Sequence, residues 1–553
     1  MNDNEKMAEL LLPDVDKTPE YYENLYPARN LKEGAKVTRI APSPTGYLHI
    51  GTLFAALVNR VTASSSGGVF YTRIEDTDKK REIEGGIEDI INGLSDFGIE
   101  IDEGFINGEN QKGDYGPYLQ SSRAEIYRTF AKKLVAEGYA YPCFCTAEEL
   151  EETRRVQEVQ KIRTGYHGEW ARHRNISYDE AKALIDEGKP FVVRLKSPGN
   201  EQNRVFFDDC IKGKIEMPEN DEDFVILKSD GIPTYHFAHA IDDHLMRTTH
   251  VIRGDEWISS TPKHLQLFKL LGFKPPKYAH VAPIMKSENG AKRKISKRKD
   301  PEAAVKFFAE EGYEADSVIE YLMTIGNSDF EEWRRANKTA DYRDFKFNLK
   351  KMNVSGALFD IDKLNDIAKN VVARFDSAAV LQKLLLWARQ YDKEFFEILD
   401  SDRDYAKQIF GIDRDGKKPR KDIYKWDMAK DYCSYFYDEL YKPSFDLPEH
   451  IDRAAAAQIL ALYKEVYDPT DDNSAWFQKI KDICPKVGFA GDTKEYKATP
   501  DMFKGNPADA STVIRVAVTG RQNTPNLTEI MACLGKKRCL KRIDEMIEYL
   551  SNK

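Results

Sequence analysis

The stretch from Val37 to Ile74 limits the fold more than any other part of the chain. Val37 to Ala41 reads as a short strand, Pro42 to Gly46 as a turn-rich loop, and Leu53, Ala56, Leu57 and Arg60 recur at helical spacing. Val69 to Ile74 is a β-branched and aromatic run that predicts a second strand. A strand, loop, helix, strand unit builds a parallel sheet, and such sheets bind ligands at the carboxyl ends of their strands. Arg39 to Gly51 and Glu75 fall at those ends.

From about Tyr118 to Asp223 the chain mixes charged helices with short strands such as Phe191 to Leu195, the pattern of an inserted subdomain. Phe224 to Leu227, Thr234 to Phe237 and His250 to Arg253 then read as strands, with a helix from Pro262 to Leu271, so the second half of the same fold is expected there. After about Ser355 the period is helical, as in Leu381, Leu384, Leu385 and in Ala454 to Tyr463. The fold class that follows is α/β: a Rossmann-like parallel-sheet domain carrying an insertion, followed by an all-helical C-terminal domain. The expected boundaries are 1–36 for an N-terminal extension, 37–117 and 224–354 for the two halves of the sheet domain, 118–223 for the insertion and 355–553 for the helical domain.

Composition excludes several classes. Hydrophobic residues make up 41% and charged residues 32%, which suits folded domains and leaves no long apolar span, so no membrane insertion is expected. Met1 to Asp16 is acidic and lacks a basic start with an apolar core, so a cytoplasmic location is expected. Seven scattered cysteines, an odd number, argue for reduced thiols. A net charge of -9 counts against a nucleic-acid partner, but cations cluster at Lys292, Arg293, Lys294, Lys297, Arg298 and Lys299, and again at Lys536, Lys537, Arg538, Lys541 and Arg542. Each cluster reads either as a phosphate-facing patch or as a solvated charged face.

Two segments carry chemistry. Arg39-Ile-Ala-Pro-Ser-Pro-Thr-Gly-Tyr-Leu-His-Ile-Gly-Thr52 places a glycine-containing loop and His49 where a strand passes to a helix. Backbone N–H groups and the positive end of the helix dipole favour phosphate at such a junction, and His49 can donate to phosphate oxygens. Alone, this could equally be a capping turn. Far downstream, Lys294-Ile-Ser-Lys-Arg298 lies on a basic loop. Cations that tighten as charge builds on an α-phosphate and a departing pyrophosphate lower the barrier to nucleotidyl transfer, and Lys297 is the first candidate.

With both segments present in this order, the chain resembles the glutamyl-tRNA synthetases, class I aminoacyl-tRNA synthetases, over nearly its whole length. His49-Ile50-Gly51-Thr52 stands for the family's HIGH motif and Lys294-Ile295-Ser296-Lys297-Arg298 for its KMSKS motif. Ala41-Pro-Ser-Pro-Thr-Gly46, Arg73-Ile-Glu-Asp-Thr-Asp78, Pro233-Thr-Tyr-His236 and Val251-Ile-Arg253 look like the glutamyl branch, and no glutaminyl-type lead-in is present. The resemblance implies catalytic roles for His49, Lys294 and Lys297, with ATP held by Ser43, Thr45, His49, Gly51, Ser296 and Lys297. It further implies glutamate bound by Arg39, Ser43, Glu75, Tyr235 and Arg253, the arginines on carboxylates and Glu75 on the ammonium group. ATP with Mg2+, L-glutamate and tRNA(Glu) are the implied partners, tRNA(Gln) as well in a relaxed-specificity enzyme, and a monomer is expected. The insertion and the helical domain, by the same resemblance, hold the tRNA acceptor arm and the anticodon. A binding-only paralogue is the rival, opposed by the intact His49, Lys294 and Lys297.

Two positions depart from the family pattern. His239 stands where asparagine or an apolar residue is usual, either as a satisfied core histidine or as an altered substrate contact. Cys143-Phe-Cys145 resembles the first half of a zinc site of some relatives, but Trp170 and Arg172 stand where further ligands are needed. His167 and His173 do not match the spacing, so no structural zinc and no bound metal are expected.

Overall fold

The computed structural model describes residues 1–108, 110–414, 416 and 419–552. They form two compact units, Met1–Phe307 with Val318–Ile361, and Phe308–Ser317 with Asp362–Lys553.

The first unit contains the expected parallel sheet. Val37–Ile40 is buried along its length and pairs in parallel with Val69–Thr72, Arg39 opposite Tyr71. Glu103–Asn107 extends the sheet in parallel and Asn110–Lys112 closes it as an antiparallel edge. Between the first two strands the helix Ile50–Ser64 buries Ile50, Leu53, Ala56, Leu57 and Val58, residues spaced at three and four as a helix on a sheet requires. A second sheet runs in the order His250–Gly254, Lys277–Val281, Arg204–Asp209, Gly213–Pro218, the first three strands parallel. Thr249 N donates to Val37 O at 3.0 Å, which sets His250–Gly254 beside Val37–Ile40.

Local reading fails at three places in this unit. Thr234 to Phe237, expected as a strand, is the start of the helix Tyr235–Leu245 with Thr234 as its N-cap. Its aromatic opening mimics a strand, but Phe237, Ala238, Ile241 and Leu245 recur at helical spacing and are all buried. Arg204–Pro218 is a hairpin not anticipated by the sequence reading. Val225–Leu227 pairs with Val192–Leu195 of the insertion rather than with the parallel sheet, so the expected boundary at residue 223 cuts a three-stranded sheet.

The second unit is helical around an apolar core that includes Leu384, Leu399, Ile459, Leu460, Ile480, Ile514, Ile530 and Ile543. It also claims residues 308–317, which the sequence reading assigned to the sheet domain. Trp387 Nε1 donates to Ala309 O at 3.0 Å and Trp426 N to Gly312 O at 2.8 Å. Gly312 has φ +80°, and a Cβ there would lie 2.7 Å from Trp426 N, so this approach demands glycine.

Candidate active site

A cavity of about 420 Å³ opens at the carboxyl ends of Val37–Ile40 and His250–Gly254. Arg39, Ser43, His49, Gly51, Glu75, Tyr235, Arg253 and Lys294 all line it, so the structure brings together most of the residues singled out from sequence. Thr45, Ser296 and Lys297 lie outside the lining. Lys297 is nonetheless close by, with Nζ donating to Tyr47 O beside the Pro42–Gly46 loop.

His49 is the N-cap of the helix Ile50–Ser64, its Nδ1 accepting from Gly51 N at 2.9 Å. That bond commits Nδ1 as an acceptor and leaves the proton on Nε2. Burial, then the charges of Lys297 and Lys294, push its pKa down to about 4. The ring is therefore a neutral donor at a helix N-terminus, an arrangement able to hold phosphate oxygens without repelling the nearby lysines.

The basic loop is organised by Asp300, which the sequence reading missed. Its buried carboxylate receives both Nη atoms of Arg293 at 2.6 and 2.7 Å and the Ser296 N–H at 2.9 Å, with Lys286 Nζ at 3.3 Å. Arg293 foremost holds its carboxyl well below the usual range. Nothing in the local sequence marks Asp300, because its role arises only when the strands Met285–Glu288 and Ala291–Lys294 pair above it.

On the other side of the cavity the charges are buried and mostly matched. Arg39 Nε and Nη2 reach Asp243 at 3.1 and 3.2 Å, and Arg73 Nη1 reaches the same residue at 2.8 Å. Arg73 Nη2 donates to Glu75 Oε1 at 3.0 Å. Burial raises the Glu75 pKa against the pull of Arg73. Arg253 differs: among the described residues it has no carboxylate partner, and its donors meet His280, His264, Thr261 and the Trp257 carbonyl. Tyr235 packs on Trp257 with ring centroids 4.3 Å apart, and burial raises its phenol pKa.

His239 is fully buried and does not line the cavity. Its Nδ1 lies 2.9 Å from Asp243 Oδ2 and its Nε2 3.2 Å from Tyr278 OH, the surroundings of a core histidine. Asp243 follows His239 by one helical turn and shares its face.

The inserted segment changes the metal expectation. Cys143, Cys145 and His173 bring their ligand atoms within 4.8 Å of one another. Cys145 Sγ is 3.4 Å from His173 Nδ1, and Tyr166 OH lies 3.3 and 3.5 Å from the two sulfurs. The expectation of no zinc rests on Trp170 and Arg172 standing where ligands are needed and on the spacing of His173; the fold turns His173 back onto Cys145, which offers a third ligand. Tetrahedral zinc with bonds of about 2.0–2.3 Å needs ligand atoms roughly 3.3–3.8 Å apart, and the Cys145–His173 separation falls in that range. The hydrogen bond from Cys145 foremost, with one from Tyr166, pulls the Cys143 pKa down to about 4, while the same bond and burial push the Cys145 thiol up, so one of the two sulfurs is held as a thiolate.

Comparison with known proteins agrees with this geometry. Residues 36–366 match the family model for the catalytic domain of class I tRNA synthetases (E and Q), and residues 506–547 match the anticodon binding domain. The chain is 50% identical to a glutamate–tRNA ligase of Clostridium perfringens, over 98% of this chain and 100% of the relative. It is 46% identical to one from Sorangium cellulosum, over 95% and 97% respectively. Among solved structures, a glutamate tRNA ligase from Elizabethkingia meningosepticum, in complex with its amino acid, superimposes with a TM-score of 0.72 at 26% identity. That match covers 93% of this chain and 100% of the other.

Proposed function

The chain belongs to the class I tRNA synthetases as a glutamate–tRNA ligase, and from that premise we propose how its own residues divide the reaction. Glutamate's α-carboxylate attacks the α-phosphate of ATP, releasing pyrophosphate and forming glutamyl-adenylate. The terminal ribose hydroxyl of tRNA(Glu) then attacks the activated carbonyl, and AMP leaves. Magnesium enters with the nucleotide as its counter-ion.

His49 Nε2–H and the N–H groups at the start of Ile50–Ser64 hold phosphate oxygens, with Ser43, Thr45, Gly51 and Ser296 around the nucleotide. Lys294 and Lys297 supply charge to the phosphates as negative charge develops in the transition state. Ser43, Glu75 and Tyr235 orient glutamate, with the free oxygen of Glu75 on its ammonium group. Arg39, already bound to Asp243, contributes direction more than net charge. Arg253 reads a carboxylate of glutamate, and the observation that carries this is its buried charge without an acidic partner among the described residues. A substrate carboxylate completes it.

Zinc bound by Cys143, Cys145 and His173 would brace the insertion that receives the acceptor arm; it would supply structure only. Metal analysis of the purified protein should then give one zinc per chain, lost in Cys145→Ser together with thermal stability. A metal content that is zero in both proteins refutes the site. The helical domain reads the anticodon, and the enzyme acts in the cytoplasm as a monomer.

Aminoacylation with radiolabelled glutamate and glutamine, each against purified tRNA(Glu) and tRNA(Gln), tests the reading. Glutamate on tRNA(Glu) alone is the expected result. Glutamate on both tRNAs identifies a relaxed enzyme, and tRNA binding without any charging overturns the proposed residue roles.

A further inference from the structure

Arg253, His280 and Asp209 form a row across three neighbouring parallel strands. Arg253 on His250–Gly254 stands in register opposite His280 on Lys277–Val281, and Asp209 ends the strand beyond. All three are buried. Asp209 Oδ2 lies 2.7 Å from His280 Nδ1 and accepts the His280 N–H at 3.0 Å, while Oδ1 takes the N–H groups of Ile211 and Lys212 at 2.9 and 2.8 Å.

The protons in this row are fixed by chemistry. An ionised carboxylate can only accept, so His280 Nδ1 carries the hydrogen and Nε2 keeps a lone pair. Arg253 can only donate, and its Nε–H meets that lone pair at 3.1 Å. One Nη1–H meets His264 Nδ1 at 3.2 Å, which leaves the His264 proton on Nε2, 3.0 Å from His236 Nδ1. Nη2 donates to Trp257 O at 3.2 Å and to Thr261 Oγ1 at 3.0 Å. Four of the five guanidinium donors are thus held by acceptors that carry no charge, and one Nη1–H is left on a residue that lines the cavity.

We propose that Asp209 and His280 are positioning residues for glutamate recognition: the pair fixes the plane of Arg253 through a neutral imidazole, so the guanidinium is immobilised without being neutralised. This rests on the assignment of Arg253 to glutamate made above. A carboxylate placed directly on Arg253, as Asp243 is on Arg39, would fix the side chain equally well but would compete with the substrate's own carboxylate. Setting the acid one residue back, behind His280, separates orientation from charge. Burial, opposed by Asp209, lowers the His280 pKa and so favours the neutral ring that this arrangement needs.

Two substitutions separate the halves of the His280 ring. In His280→Asn the amide nitrogen stands near Nδ1 and can still donate to Asp209, but nothing accepts from Arg253. In His280→Gln the amide oxygen reaches the position of Nε2 and restores that acceptor. His280→Asn should raise the glutamate KM about tenfold, and His280→Gln, which regains the acceptor but loses the tie to Asp209, should raise it by less, about threefold, since a hydrogen bond to a charged group carries roughly the larger effect. The ATP KM should hold within about twofold in both. Equal glutamate KM values in the two variants, or an ATP KM that moves in step, overturns the proposal. Thr261→Val, which removes another neutral acceptor at nearly constant volume, should raise the glutamate KM and Thr261→Ser should not; this pair serves if the His280 variants do not fold. Arg253→Gln in the same assay separates the two failures. If it leaves the glutamate KM unchanged, the assignment of Arg253 itself is wrong; if it raises KM while His280→Asn does not, only the positioning role falls.

Discussion

The two units solve burial in opposite ways. Around the cavity the first unit buries Arg39, Arg73, Glu75, Asp209, His239, Asp242, Asp243, Arg253, His264 and His280, nearly all with an identified partner. The second unit fills its interior with aliphatic and aromatic side chains, and its buried arginines, Arg414 and Arg542, donate to backbone carbonyls. Buried charges are expensive and are tolerated where they do work on a ligand, whereas an apolar interior supplies stability without chemistry. Substitutions in the first unit should therefore register in kinetics, and those in the second in stability.

The largest effect should come from Lys297→Ala. It should slow adenylate formation by a factor on the order of 10²–10³ while leaving the glutamate KM within about threefold, as followed by tRNA-dependent ATP–pyrophosphate exchange. Equal rates in variant and parent would remove Lys297 from the chemistry. The mirror experiment is Ile459→Ala, at a fully buried position of the helical core. It should cost about 2–5 kcal/mol of unfolding free energy in that unit with the glutamate KM unaltered at 25 °C. A changed KM there would break the division between the units.

Acid should separate them further. Nine of the ten histidines lie in the first unit. Burial pushes His239 down to about 3 and His236 down to about 4, against an ordinary value of 6.5. Above pH 6.5 these rings are neutral folded or unfolded and add nothing. Below it the unfolded chain binds protons that the folded one refuses, so stability falls as pH falls. At pH 5.5 the fully buried His239 alone should cost about 1.4 kcal/mol. Asp243 and Asp300, whose pKa values are depressed, give stability that is present above about 3.8 and is not lost in this window. Hydrogen exchange resolved by unit, at pH 7.0 and 5.5, should show protection falling in the first unit and little change in the second. Equal losses in both would mean that the buried histidines are not what the acid acts on.

The same contrast explains what the sequence could and could not reveal. The strand–loop–helix around His49 and the helical periods beyond residue 361 are local patterns, and both were legible. Arg39, His49, Glu75, Tyr235 and Arg253 were reachable because short motifs carry them, and the fold gathers them at one cavity. Asp209 and His280 were not reachable: 71 positions separate them, and they meet only because two parallel strands align. His173 is out of reach for the related reason that spacing along the chain does not show that the fold returns it to Cys145 from 28 residues away. The helix Tyr235–Leu245 was half misread, since its aromatic first turn carries strand propensity that burial on one face overrides.

The smallest expected effect is also the most sensitive test of the division. The helix Pro507–Thr519 runs through the second unit's core and opens with a reciprocal cap. Asn506 Oδ1 accepts from Ala508 N at 2.8 Å, and Asp509 Oδ2 accepts from Asn506 N at 2.9 Å. Asn506→Ala removes the first bond together with the 2.7 Å bond from Asn506 Nδ2 to Asp509 Oδ2, and keeps the backbone bond to Asp509; its cost should be about 1 kcal/mol, read as a small fall in the unfolding midpoint of that unit. No charge moves and no cavity forms. If so slight a change altered glutamate KM, the pocket would be sensing the helical unit's stability, and the sorting of chemistry to one unit and stability to the other would fail where it is probed most gently. An unchanged KM beside a lowered midpoint instead shows that the polar interior around Arg253 keeps its geometry through its own hydrogen bonds.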